Sequence, residues 1–247
     1  MSFRAKAKVL AAVTKCTELE LTHLKGRALA EHSYWSTKDA ADKKLITKFK
    51  AEVKEYYWYQ QLRRCCYCSI ELSKPQNTYD AEHIIDKGHH PQFMFDTRNL
   101  AAACKPCNNT KDQNWVLASA DVPADVPVNS EDYSILHPHL DEWDDHFGYD
   151  AFTRVIPKPN TKGVETLRVC GIHKLNAARL ADHFVGVNKV AEKFLVNFYE
   201  ESSIEKKGLK LKLLRDLASQ YDLPGAVAIV DAIEGEFNRL VSEAGRP

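Results

Sequence analysis

Two C-x-x-C pairs, Cys65/Cys68 and Cys104/Cys107, constrain this chain more than any other feature of its sequence. Each pair can present two thiolates to one metal ion, and four thiolates complete a closed tetrahedral zinc site. About 35 residues separate the pairs, more than in the shortest zinc ribbons, so a sizeable element must be held between them. Cys65 is the better partner for Cys68, because Cys66 would leave a single intervening residue. Cys16 and Cys170 read as plain buried thiols. A site closed by four thiolates has no open position for substrate, so this zinc is expected to be structural.

The N-terminus is basic with a short apolar stretch and shows no signal-peptide h-region or cleavage site, so a cytoplasmic protein is expected. In that compartment seven cysteines argue for metal or thiol chemistry over a disulfide framework. No apolar run is long enough to span a bilayer, and no membrane partner is expected. The formal net charge is zero, but it is unevenly placed. Residues 1–64 carry 14 Lys/Arg against 7 Asp/Glu, whereas Ser119–Asp150 holds 9 acids and no Lys or Arg. A basic half suits a phosphate backbone through counterion release, and it is equally compatible with a solvated helix face.

Apolar spacing predicts a helix over residues 5–32 and a longer one over 39–63, with Ser36 or Thr37 as the cap between them. Ile46, Phe49, Val53, Tyr56, Tyr57 and Leu62 supply the apolar stripe of the second. Its end, "KEYYWYQQLRR", interleaves aromatic and basic residues; that pattern serves nucleic-acid stacking or, for most of these rings, core packing. "FTRVIPKPNTKGVETLRV" reads as two strands around a turn, and residues 173–202, 208–220 and 224–245 read as helices. The chain divides on this reading into an N-terminal helical region (1–62), a cysteine module (63–118), an acidic linker with a small strand-containing region (119–180) and a C-terminal helical region (181–247).

Between the cysteine pairs lies "YDAEHIIDKG", with Glu82 directly before His83; "RNLAAAC" follows with Asn99, and "CNNTK" adds Asn108 and Lys111. This order resembles the zinc-containing HNH endonucleases of the ββα-metal type over residues 63–115. The resemblance implies an α+β fold: a zinc-stapled ββα-metal module flanked by N- and C-terminal helices. The first strand would bear Glu82 and His83, and the helix would start near the second knuckle and carry Asn108. It implies hydrolysis of DNA phosphodiesters. His83 would be the general base, since a neutral imidazole near pH 7 suits that task. Glu82 and Asn108 would hold a catalytic Mg²⁺ or Mn²⁺, a hard cation that accepts few protein ligands. By the same match Asn99 supports the loop behind His83, and Lys87 and Lys111 lie near phosphate. The acid is Glu where many members have Asp, and the third motif residue is Asn where the family name has His. Asp86 and Lys87 also fit a plain turn into Gly88, and His89 and His90 are expected to be exposed loop residues.

"YSILHPHLDEWDDHF" and "GIHKLNAARLADHF" are more loosely similar to segments of the HNH nucleases of Septu and retron-type anti-phage systems. That similarity would put His137, His139, Asp141 and His146 at the border of the cleft; each taken singly reads better as part of a structural loop. It also implies an anti-phage effector with a separate ATPase or sensor protein, since no Walker motif occurs here. One module cuts one strand, so double-strand cleavage would call for a homodimer or two nicks. The alternative function is a non-catalytic, zinc-stabilised nucleic-acid-binding or adaptor protein.

Overall fold

The computed structural model describes residues 6–74, 76–221 and 223–244. The fold is α+β, with helices around two small antiparallel sheets. In order, the elements are α1 (Glu18–Ala30), α2 (Ala40–Gln60), β1 (Tyr79–His83), β2 (Leu100–Cys104), α3 (Lys105–Lys111), α4 (Trp143–His146), β3 (Phe147–Tyr149), β4 (Val155–Pro157), α5 (Lys162–Val169), α6 (Ile172–Ala181), α7 (Asn188–Glu200), α8 (Ile204–Gln220) and α9 (Pro224–Ala244), with short 3-10 turns in several of the connections before α4. Among the described residues no helix is long and apolar enough to cross a membrane.

The chain forms two units: Met1–Gly148 with Pro157–Gly171, and Tyr149–Ile156 with Ile172–Pro247. Segments 1–62 and 63–118 of the sequence reading fall in the first unit, 181–247 falls in the second, and 119–180 is shared between them.

The first unit is built on α2. Asp39, not Ser36 or Thr37, caps this helix by accepting from the Asp42 amide (2.9 Å). Ile46, Phe49, Val53 and Tyr57 are buried along one face, as their spacing requires. Leu62 falls beyond the helix end, at positive φ, and is exposed. Trp58 is buried with its indole N–H donating to Leu72 O (2.7 Å), so Tyr57 and Trp58 are core aromatics while Tyr59 is exposed.

The helix expected from residue 5 begins only at Glu18. Thr17 and Glu20 form a reciprocal capping box there (Glu20 N to Thr17 Oγ1, 3.2 Å; Thr17 N to Glu20 Oε2, 2.7 Å). Upstream, the backbone amides find partners outside a helix. The Thr14 and Lys15 amides each donate to the Glu52 carboxylate at 2.7 Å, and the Leu10 amide donates to Tyr57 Oη at 3.2 Å. Residues 7–15 are thus a non-helical strap laid along α2.

The central hairpin pairs β1 with β2 from Tyr79↔Cys104 to His83↔Leu100, and α3 follows β2 without a break. Gln61, fully buried, fixes this sheet to the end of α2: its side chain accepts from Ala102 N (2.9 Å) and donates to Ala102 O (2.8 Å). The "FTRVIPKPNTKGVETLRV" segment differs from the expected hairpin. Only Val155–Pro157 is a strand, paired with β3, and Lys162–Val169 is helical. Thr161 caps α5 by accepting from Gly163 N (3.1 Å), and Gly163, Thr166 and Val169 face inward at helical spacing. A Cβ at Gly163 would lie 2.2 Å from His146 O, so only glycine fits this approach.

Asp141 anchors the loop before α4. It accepts from His137 N (2.7 Å) and Ser130 Oγ and pairs with Lys162 Nζ (3.1 Å). Burial opposes its ionisation, but hydrogen bonds from His146, His137, Ser130 and Lys162 outweigh it and hold the carboxyl well below the usual range. A depressed folded pKa contributes stability that is fully present above the unfolded value of about 4, begins to decline below it, and is lost only as pH falls through the lower folded value. Asp141→Asn is therefore expected to cost about 3 kcal/mol at pH 7. That cost should shrink at pH 3.5, compared by urea unfolding; an equal cost at both pH values would remove the electrostatic assignment.

The second unit packs α6–α9 around Leu180, Phe184, Leu195, Phe198, Leu214, Ile229 and Ile233. The long helix expected over 173–202 is interrupted between α6 and α7. Gly186 adopts φ +85° there, a conformation that L side chains avoid.

Candidate active site and metal centre

The four cysteines converge. The ligand sulfurs of Cys65, Cys68, Cys104 and Cys107 all lie within 4.8 Å of one another, and all four residues are buried. The first pair occupies a tight knuckle after α2, where Cys65 N donates to Ile70 O (2.9 Å) and Ser69 N to Cys65 O (3.1 Å). The second pair spans the junction of β2 and α3, and Cys104 N donates to Cys65 Sγ (3.3 Å). Burial opposes ionisation of Cys65, but hydrogen bonds from Cys104 and the neighbouring thiols hold it well below its ordinary value. Cys68 and Cys107 are pushed well above theirs, chiefly by hydrogen bonding with Cys104. Four ionised sulfurs this close repel one another, and a bound cation is what lets all of them ionise. The set fits a metal such as zinc, and among the described residues it is the one group of three or more His, Cys, Asp or Glu side chains so arranged.

Beside this centre a polar cleft of about 180 Å³ is lined by Glu82, His83, Lys87, Asn108, Asn109 and Asp112, among others. β1 delivers Glu82 and His83 at its end, α3 delivers Asn108, and Lys87 comes from the following turn.

His83 Nε2 lies 3.0 Å from Met94 O. A carbonyl only accepts, so Nε2 carries the hydrogen and Nδ1 keeps its lone pair. Burial, and then the Lys87 charge, push the imidazole well below its ordinary pKa, so the ring is neutral at pH 7. The ring also meets Trp35 edge-on, with centroids 4.4 Å apart.

Glu82 is buried with two partners on the same oxygen. Lys111 Nζ lies 3.0 Å from Oε1, and the Tyr67 hydroxyl donates to Oε1 at 3.1 Å. Burial raises the Glu82 pKa, and the Lys111 charge opposes that rise. Oε2 takes no part in either contact. Lys111, expected near phosphate, has a side chain only 1% exposed and is committed to Glu82. The apolar methylenes of a lysine on a short helix allow such burial once a carboxylate is present to pair with.

Asn99 is fully buried. It accepts from Ile85 N (2.7 Å) and donates to Ile85 O (2.9 Å) and Phe93 O (3.3 Å), closing the loop between β1 and β2. Asn108 donates its amide to Asp80 Oδ2 (2.9 Å), which leaves its Oδ1 as acceptor. Asp86 is a turn residue that accepts from Gly88 N (3.0 Å) and His89 N (2.9 Å). His89 is exposed, but His90 is buried, stacked on Phe93 and tilted against Trp115. The expectation of two exposed loop histidines holds for the first alone.

His137, His139, Asp141 and His146 do not line the cleft. His139 lies between Ala7 O (3.2 Å) and Leu100 O (2.8 Å), tying the N-terminal strap to β2. Three neighbours of the site had no signature in the sequence: Tyr67 on Glu82, Trp35 on His83, and Lys50 on Trp35, whose Nζ lies 4.3 Å from the ring centroid.

No family model matches this chain. A curated relative, the Septu protein PtuB of Bacillus thuringiensis, is 24% identical to it over 113 residues, 46% of this chain and 38% of the relative. The chain is thus distantly similar to a Septu protein and spans well under half of that relative's length.

Proposed function

We propose that this chain is a metal-dependent HNH endonuclease that hydrolyses DNA phosphodiesters, with a separate structural zinc on Cys65, Cys68, Cys104 and Cys107. The observation that carries the reading is a neutral imidazole, fixed with Nδ1 free to accept, in the same cleft as an acid and an amide. His83 Nδ1 takes the proton of the attacking water. Met94 O holds the ring in the one tautomer that can do so. Lys111 and Tyr67 fix the Glu82 carboxylate through Oε1 and favour its ionised form. Glu82 Oε2 and Asn108 Oδ1 are two hard oxygen donors in one cleft, a set that fits Mg²⁺ or Mn²⁺ with most positions left to water and phosphate. Such an ion supplies charge stabilisation for the phosphate and the departing oxygen. Asn99 keeps the loop behind His83 in register. Lys87, at the cleft wall, draws in the phosphate backbone.

The similarity to a Septu protein supports a place in anti-phage defence, acting with a separate ATPase or sensor. Supercoiled plasmid incubated with the zinc-loaded protein and Mg²⁺ or Mn²⁺ is expected to be nicked, and a chelator is expected to stop it. Salt-sensitive DNA binding with no nicks in either metal would instead favour a zinc-stabilised binding or adaptor module.

A further inference from the structure

Lys50, on α2 and outside the cysteine module, does not line the cleft itself but lies one ring away from His83, against Trp35. Its Nζ donates to Trp35 O (2.7 Å) and lies over the Trp35 ring, which stands edge-on to His83. Lys50 is partly buried. Among the described residues neither Lys50 nor the cleft-lining Lys87 forms an ion pair with a carboxylate, whereas Lys111 and Lys105 both do. The acid near Lys50 is Asp80, and it is already engaged by Asn108 (2.9 Å) and Lys105 (3.8 Å). Burial, and then the like charges of Lys87 and Lys54, hold the Lys50 pKa down to about 8. A lysine whose only role was structural would gain by snorkelling to solvent or to a free carboxylate. This one is instead clamped by a carbonyl and an aromatic face, among other cations, beside the proposed base. An arrangement of that kind is favourable when an anion arrives from outside.

We propose that Lys50, held in place by Trp35, is a nucleic-acid-contacting residue that engages a backbone phosphate of the strand lying across His83. The proposal rests on the nuclease reading of the cleft and adds to it a contact contributed by the N-terminal helical region. Lys87 supplies the second cation of the same clamp, from the turn after β1.

The test is fluorescence anisotropy of a labelled DNA duplex, titrated with zinc-loaded protein over a series of NaCl concentrations without added Mg²⁺ or Mn²⁺. Wild type, Lys50→Met and Lys50→Arg are compared. Methionine keeps an apolar stem on Trp35 and removes the charge. Lys50→Met is expected to lower the slope of log affinity against log salt by about 0.9, the contribution of one phosphate contact. Lys50→Arg should restore it. Zinc content and melting temperature of the three proteins are compared in parallel. An unchanged slope in Lys50→Met overturns the proposal, whatever happens to affinity, and so does a wild type that binds no duplex. A slope that falls while plasmid remains uncut in every metal would keep the phosphate contact and sink the nuclease reading instead.

Discussion

Replacing Cys104 by serine is expected to abolish zinc binding and to unfold the module that carries the cleft. Cys104 is where β2 becomes α3, and its backbone N–H also donates to Cys65 Sγ. Losing this ligand therefore releases the first knuckle from the second and frees the start of the helix that holds Asn108. A structural zinc on cysteine ligands contributes about 10–16 kcal/mol. The net stability of a folded domain is only about 5–15 kcal/mol, so the module has no reserve to absorb the loss. The second unit has its own apolar core, so part of the helical signal should survive. Zinc content by mass spectrometry and thermal unfolding by circular dichroism measure both effects. Cys66→Ala is the control: its sulfur lies outside the four-sulfur group, and this variant should keep its zinc. A zinc-free Cys104→Ser that melts like the wild type would show that the four cysteines merely pack.

The parts legible in the sequence were those with local determinants. The knuckles needed only C-x-x-C spacing, and the β1–β2–α3 order is the one that the resemblance to the HNH endonucleases implied. The stripe of α2 was visible because Ile46, Phe49, Val53 and Tyr57 recur at helical spacing. What failed was settled by partners far along the chain. Residues 7–15 have helical composition, yet Glu52 and Tyr57, about forty residues away, take their amides. Lys111 lies in a motif that suggests a phosphate contact, yet Glu82 claims it across the hairpin. The segment "FTRVIPKPNTKGVETLRV" read as two strands, yet Lys162–Val169 is a helix whose Gly163 packs against His146 O.

The same limit applies inside the site. The motif names Glu82 and His83 but says nothing of which atoms remain free. That information comes from Met94 O on one ring nitrogen, and from Lys111 and Tyr67 on one carboxylate oxygen. Trp35 and Lys50 come from a segment that the motif does not cover, so spacing could not have placed them beside His83.

His83→Ala is expected to lower the rate of metal-dependent plasmid nicking by about 10²–10⁴-fold, the usual contribution of a positioned general base. In barrier terms this is about 3–5 kcal/mol. The loss should fall on the catalytic step and leave duplex affinity without added Mg²⁺ or Mn²⁺ near the wild-type value, because His83 contacts Met94 O and Trp35 within the fold and carries no charge at pH 7. The four-sulfur centre does not use the imidazole, so zinc stoichiometry should be unchanged. Removing a buried ring that bonds one carbonyl costs some stability, about 1–3 kcal/mol, so the melting temperature is measured beside the rate. A folded, zinc-loaded His83→Ala protein that nicks plasmid at the wild-type rate would take the base away from His83. It would also mean that Glu82, Asn108 and the lysines serve a cleavage whose proton acceptor is some other group.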